Sequence, residues 1–105
     1  MSDALTWLDR HTADAPEHLR ARMRAALRDV SAGSIHESLA AAAFRCLHAS
    51  LTEQPSRECA LDLLSADALF THACAAAAEA GPGELQRFTA ALDAARFQHL
   101  LDQPA

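Results

Sequence analysis

A chain of 105 residues, half of them hydrophobic, is long enough to bury one core without a metal or a disulfide, so a single domain is expected over residues 1–105. The net charge of −5 argues against nucleic acid or an anionic membrane as a partner. All nine cationic side chains are arginine, which excludes catalysis through a lysine Schiff base or a lysine general base.

Targeting signals are absent from the sequence pattern. The N-terminal residues lack the basic stretch and apolar core of a secretory signal, and no run approaches the ~18–20 consecutive apolar residues that span a bilayer. Cys46, Cys59 and Cys74 are an odd number of cysteines inside helical patterns, which is typical of reduced thiols. We therefore expect a cytoplasmic protein with no membrane partner.

Helical periodicity runs through the whole chain and predicts five helices, over residues of about 3–12, 16–31, 35–54, 57–80 and 84–101. The first is short, and Trp7 is expected to anchor it to the others. The second has the clearest apolar stripe, and Arg20, Arg24 and Arg28 repeat every four residues on its opposite side. This row is the only basic surface expected. A solvated helix face explains the row. So does pairing with acidic residues of this chain or of a partner protein, or the binding of a small anion.

Two serines predict helix starts. Ser34 and Glu37 form the Ser-x-x-Glu capping box at the start of the third helix, and Ser56 is expected to cap the fourth. Arg45, His48 and Thr52 are expected on the solvent side of the third helix. The link between the third and fourth helices is so short that they are expected to lie antiparallel.

The fourth helix is the most apolar and is expected at the centre of the fold. At ~100° per residue, its apolar residues cover most of its circumference and leave one polar arc, which Leu69 interrupts; the arc holds Glu58, Asp62, Ser65 and His72. Asp67 falls inside the apolar arc. An unpaired buried carboxylate is costly, so Asp67 is expected to bond a buried helix end or to pair with an arginine. The alternatives are that it is the polar group of a small pocket or that it is simply exposed at a helix crossing.

The last helix follows the break at Gly81-Pro82-Gly83. One face carries Leu85, Phe88 and Leu92, and the opposite face carries Ala90, Ala94, Phe97 and Leu101. A lone outer helix does not need two apolar faces. The second face is therefore expected either to close over the first helix or to meet another chain.

Signatures of catalysis and metal binding are missing from the sequence. The six histidines and three cysteines do not show the spacing of a zinc site, and no nucleophile turn or phosphate-binding loop is found. His18, His48 and His72 are expected at the surface, and His36 and His99 on or beside apolar faces. No metal or cofactor is expected.

These patterns predict an all-α fold, a small antiparallel bundle of four main helices preceded by a short N-terminal helix. The favoured function is a non-catalytic interaction module. It is expected to form a homodimer, through the last helix or the alanine-rich end of the fourth, or to bind another protein. The alternative is a helical bundle that binds a small molecule or an anion, as a binding protein or as a small all-α enzyme. Its binding residues would be Asp67, Arg20, Arg24, Arg28 and Arg45.

Overall fold

The computed structural model of the chain describes residues 3–28, 30 and 33–92. These residues form five α-helices and, within the same ranges, no strand; the helices are α1 (Asp3–His11), α2 (Glu17–Arg28), α3 (Ile35–Thr52), α4 (Arg57–Ala80) and α5 (Pro82–Ala91). The Cα radius of gyration of 13.4 Å is close to the ~13 Å of a compact chain of about this length. The predicted all-α class is confirmed.

Both predicted serine caps are present. The amide of Glu37 donates to Oγ of Ser34 over 3.1 Å, and that hydroxyl donates to Oε1 of Glu37 over 2.8 Å. The amide of Cys59 donates to Oγ of Ser56 over 3.1 Å. Each cap provides a partner for an amide that has none within its own helix, so the starts of α3 and α4 are set by local sequence.

The core lies where α3 and α4 pack against each other along their lengths, with α1, α2 and α5 around them. Its largest fully buried apolar side chains come from four helices: Leu8, Met23, Leu27, Leu39 and Leu69. Many of the remaining core residues are alanines, among them Ala42, Ala43, Ala66, Ala73 and Ala77. Side chains this small allow helix backbones to approach closely, which explains how a core with few aromatic residues excludes water.

The buried face of α4 is not the one expected. The residues that it buries are Asp62, Ser65, Ala66, Leu69, Ala73, Ala76 and Ala77. Most of the arc predicted to be wet therefore faces the core, whereas Leu63 and Leu64 are 53% and 59% exposed. The prediction failed because alanine lies on every side of this helix, so hydrophobicity alone does not distinguish its faces.

Helix α5 is shorter than predicted. It begins at Pro82 and ends at Ala91, and the amide of Leu92 caps it by donating to the carbonyl oxygens of Phe88 and Thr89. The prediction of a single helix over residues 84–101 is therefore wrong, because the helix ends before Leu92. Ala90 is exposed. The other members of the predicted interface, Ala94, Phe97 and Leu101, lie outside the described residues, as does His99.

By length and composition α4 is apolar enough to cross a membrane. The core helix of a soluble protein meets the same criterion, so this is weak evidence for a membrane span. The absence of a membrane partner and the cytoplasmic location remain predictions.

Gly81 offers a direct test of the break between α4 and α5. Its φ of 133° and ψ of 158° lie in a region that only glycine adopts readily. We expect Gly81→Ala to lower the free energy of unfolding by about 1–3 kcal/mol, although an added Cβ would meet no atom within 4 Å.

Gly83, two residues on, is the matched control. It lies inside α5, and a Cβ there would make an ordinary contact of 3.7 Å with Arg87. Gly83→Ala should be neutral or stabilising by up to ~1 kcal/mol. Urea denaturation followed by circular dichroism compares the two, and equal stability of both variants would contradict the backbone argument.

Candidate functional site

The favoured expectation for Asp67, a buried and paired carboxylate, is wrong, and the alternative of simple exposure is the one observed. Because its side chain is exposed, it does not bond a buried helix end, although it does line an open depression. The carboxylate that the core does bury on α4 belongs to Asp62, only 4% exposed and one of the residues predicted to be wet. This error has the same cause as the wrong orientation predicted for α4. Asp62 and Asp67 lie about 140° apart around the helix at ~100° per residue, so turning Asp62 toward the core exposes Asp67.

The arginine row of α2 is gathered on one side, as expected. Arg20, Arg24 and Arg28 line an open depression of about 400 Å³, but Asp9 and Glu17 line it too. Arg24 forms an ion pair with Asp9 of α1, so its charge is already neutralised. The depression therefore offers less free positive charge than the row implied.

The other two predicted ligand residues are not part of that depression. Asp67 lines a different one, on α4. Nη1 of Arg45 donates to the carbonyl oxygen of Ala26 over 3.0 Å, a contact between α3 and α2. The five residues of the small-molecule hypothesis are thus not assembled into a single site.

A charged cluster that the sequence did not reveal joins α2 to α4. Nη1 of Arg22 donates to Oδ1 of Asp62 over 2.7 Å, and the same guanidinium also pairs with Glu58. Burial lowers the pKa of Arg22, but the two carboxylates outweigh burial and raise it overall. A hydrogen bond with Asp62 is the main cause of a raised pKa at Glu53. One arginine thus faces three acids, which makes the cluster a structural tie between helices.

Only a faint sequence signal could have identified Arg22. It stands three residues after Leu19 and four before Ala26, so it borders the apolar stripe of α2. Its acidic partner lies 40 residues further along the chain. A separation of that size leaves no periodic pattern from which the pair could be predicted.

The burial of the histidines differs in part from the expectation. His36 is buried as expected, with Nε2 3.3 Å from Oε2 of Glu84 and its ring edge-on to Phe88. His48 and His72 were expected at the surface but are half-buried. Both ring nitrogens of His48 are inaccessible to water and have no hydrogen-bond partner among the described residues. Burial, with a smaller contribution from the nearby His11, lowers the pKa of His72.

Trp7 anchors α1, as predicted. Its indole is buried, and Nε1–H donates to Oε1 of Glu79 at the end of α4 over 2.9 Å. His11 stacks on the indole with ring centroids 3.7 Å apart, and His72 meets it edge-on. These contacts hold the short first helix to α4, and the ion pair between Asp9 and Arg24 joins it to α2.

The cysteines lie apart from one another. Burial raises the pKa of the Cys46 thiol to about 11, so the thiol stays protonated at neutral pH. Sγ of Cys59 donates to the carbonyl oxygen of Ser50 over 3.1 Å. Among the residues that the structure describes, no group of three or more His, Cys, Asp or Glu side chains could hold a metal ion.

One surface combines exposure with apolar character. A depression of about 630 Å³ between α3 and α4 is lined almost entirely by apolar side chains, those of Leu47, Ala60, Leu63, Leu64, Ala66 and Phe70, with Asp67 at its edge. Leu51, one turn beyond Leu47, is 50% exposed. We call the patch formed by Leu47, Leu51, Ala60, Leu63, Leu64 and Phe70 the α3–α4 apolar surface.

Comparisons of the chain with models of protein families, with curated proteins and with solved structures find no match. Evidence for function therefore comes from the chemistry of the surface. Three leucines at least half exposed on adjacent helices leave apolar area in water. At ~25 cal/mol per Å², covering that area favours association with another apolar surface.

Proposed function

We propose that this protein is a non-catalytic helical module that self-associates, and that the α3–α4 apolar surface is its interface. The observation that carries the proposal is the exposure of Leu51, Leu63 and Leu64 by 50%, 53% and 59%. Single exposed leucines are common on proteins, but clustered ones are typical of interaction sites.

The character of the site also favours association over catalysis. The depression lined by Leu63 and Leu64 is open and has a single charged residue, Asp67, at its edge. Small-molecule sites usually present several convergent polar groups, which this surface lacks. The most buried ion pair, Arg22 with Asp62, ties two helices of the same chain together.

The proposed module is a cytoplasmic bundle in which the four main helices lie antiparallel to their neighbours. Two contacts between α3 and α4 support this for the central pair. Ser50, near the end of α3, bonds to Cys59 near the start of α4, while Phe44 meets Phe70 further from the link. The interface proposed here replaces the last helix, which ends at Ala91.

The test is the mass of the protein in solution. Wild type should be a dimer or higher multiple by sedimentation velocity and by native mass spectrometry. Leu63→Glu with Leu64→Glu should be monomeric, because two charges would be buried without partners in any complex. Both positions are exposed within the chain, so the helical circular dichroism should not change.

Ala75→Glu with Ala78→Glu is the matched control. Both alanines are exposed on the same helix, outside the α3–α4 apolar surface. This variant has the same added charge and should associate like wild type. A monomeric wild type at every concentration, or unchanged association of the Leu63 and Leu64 variant, would contradict the proposal.

A further inference from the structure

The solvent-facing side of α4 carries a pattern of charge and size that fits a copy of itself. Five exposed residues, Arg57, Ala60, Leu63, Leu64 and Asp67, fall within an arc of about 120° at ~100° per residue. The two leucines stand in the middle of this stripe. A cation lies at one end and an anion at the other, about 15 Å apart along the helix axis.

Neither of these two charges is used within the described part of the chain. The described residues form five ion pairs between an arginine and a carboxylate, and Arg57 and Asp67 take part in none. At Asp67 the hydroxyl of Thr71 donates to the backbone carbonyl oxygen, and within the described residues the carboxylate takes part in no ion pair. Four other described arginines, Arg20, Arg22, Arg24 and Arg87, do form ion pairs with carboxylates of the chain. Unpaired charges of opposite sign therefore flank the exposed leucines.

We propose that a second copy of this chain covers the α3–α4 apolar surface, with the two α4 helices antiparallel and Arg57 of each facing Asp67 of the other. This inference rests on the proposed function and names its partner and geometry. In a two-fold dimer, contacts are reciprocal, so residue i meets j and j meets i. One antiparallel register therefore forms both ion pairs at once.

The same register also matches side-chain sizes. In an antiparallel pair, the residue numbers of facing positions always add up to the same total. When Arg57 lies opposite Asp67, position 60 therefore lies opposite position 64. Leu64 of each copy then meets the small Ala60 of the other, and the two Leu63 side chains meet near the two-fold axis. Alternation of large and small side chains lets facing helices interdigitate. In a parallel pairing in register, by contrast, like charges would face each other at both ends.

Charge exchange provides the test. In Arg57→Asp, two carboxylates face each other in each half of the dimer, and in Asp67→Arg two arginines do so. Each variant alone should associate at least about 10-fold more weakly than wild type. Both should fold, because position 57 begins α4, where an acid suits the helix dipole, and position 67 is exposed.

An equimolar mixture of the two variants should recover association, because every facing pair then joins an acid to an arginine. Native mass spectrometry identifies the mixed dimer by its mass, which differs from that of either homodimer. The chain that carries both changes, Arg57→Asp and Asp67→Arg, should also dimerise like wild type. Added salt should weaken the pairs, since they lie at the rim of the interface.

Failure of this geometry is distinguishable from failure of the proposed function. If the mixture stays monomeric, or if Arg57→Asp alone dimerises like wild type, the antiparallel register is wrong. The self-association proposal survives that result provided that Leu63→Glu with Leu64→Glu still dissociates the oligomer. A monomeric wild type overturns both, and would leave the surface to a different protein or to residues 93–105 of the same chain.

Discussion

Leu69→Ala is expected to lower the free energy of unfolding by about 2–5 kcal/mol, the usual cost of cutting a fully buried leucine to alanine. Leu69 is completely inaccessible to solvent and lies in the middle of α4. The loss combines the transfer of apolar atoms from water with a cavity that neighbouring helices fill only in part. Few substitutions in a chain of this size should cost more.

Leu64→Ala is the matched control, because it makes the same chemical change on the same helix. Leu64 is 59% exposed, so its truncation should change the stability of the monomer by no more than ~0.5 kcal/mol. Urea denaturation should be run at a concentration low enough to keep the chain monomeric, since the proposed dimer would add to the effect at position 64. If Leu64→Ala costs as much as Leu69→Ala, the orientation of α4 described above is wrong.

The comparison of Leu69 with Leu64 tests the rotation of α4 about its own axis, which the sequence could not predict. Features fixed by neighbouring residues were predicted correctly: the Ser34–Glu37 box, the cap at Ser56 and the break at Gly81. Each depends on contacts within a few residues, so local sequence contains the information.

The rotation of α4 depends on what the other helices present to it. Leucines occur on both sides of this helix and alanine almost everywhere, so burying Leu69 or burying Leu63 and Leu64 satisfies periodicity about equally well. Tertiary packing selected the side with Ala66, Ala73 and Ala77, on which α3 approaches closely. That choice exposed Leu63, Leu64 and Asp67 and so produced the candidate interface that the sequence had placed on the last helix.

Arg22 neutralises Asp62, the carboxylate that α4 buries on its core-facing side. We expect Arg22→Met to lower the free energy of unfolding by about 2–4 kcal/mol, because Asp62 would remain buried without its cation. Glu58 and Glu53 stand close to the same site, so the unpaired charge would also face like charges.

Arg24→Met on the same helix is the control. Arg24 pairs with Asp9, but their side chains are 34% and 30% exposed, so water screens the pair and its loss should cost no more than ~1 kcal/mol. Urea denaturation at pH 7 measures the stability of all the variants. Equal costs for Arg22→Met and Arg24→Met would contradict the distinction between buried and exposed pairs.

Replacing both partners separates the cost of an orphaned charge from the net contribution of the pair. The double variant Arg22→Met with Asp62→Leu leaves no buried charge and should lie within ~1 kcal/mol of wild type or be more stable. If it is as unstable as Arg22→Met alone, the pair contributes stability that apolar contacts do not replace. If it is stable, the ion pair adds little net energy, and its role is to determine which face of α4 meets α2.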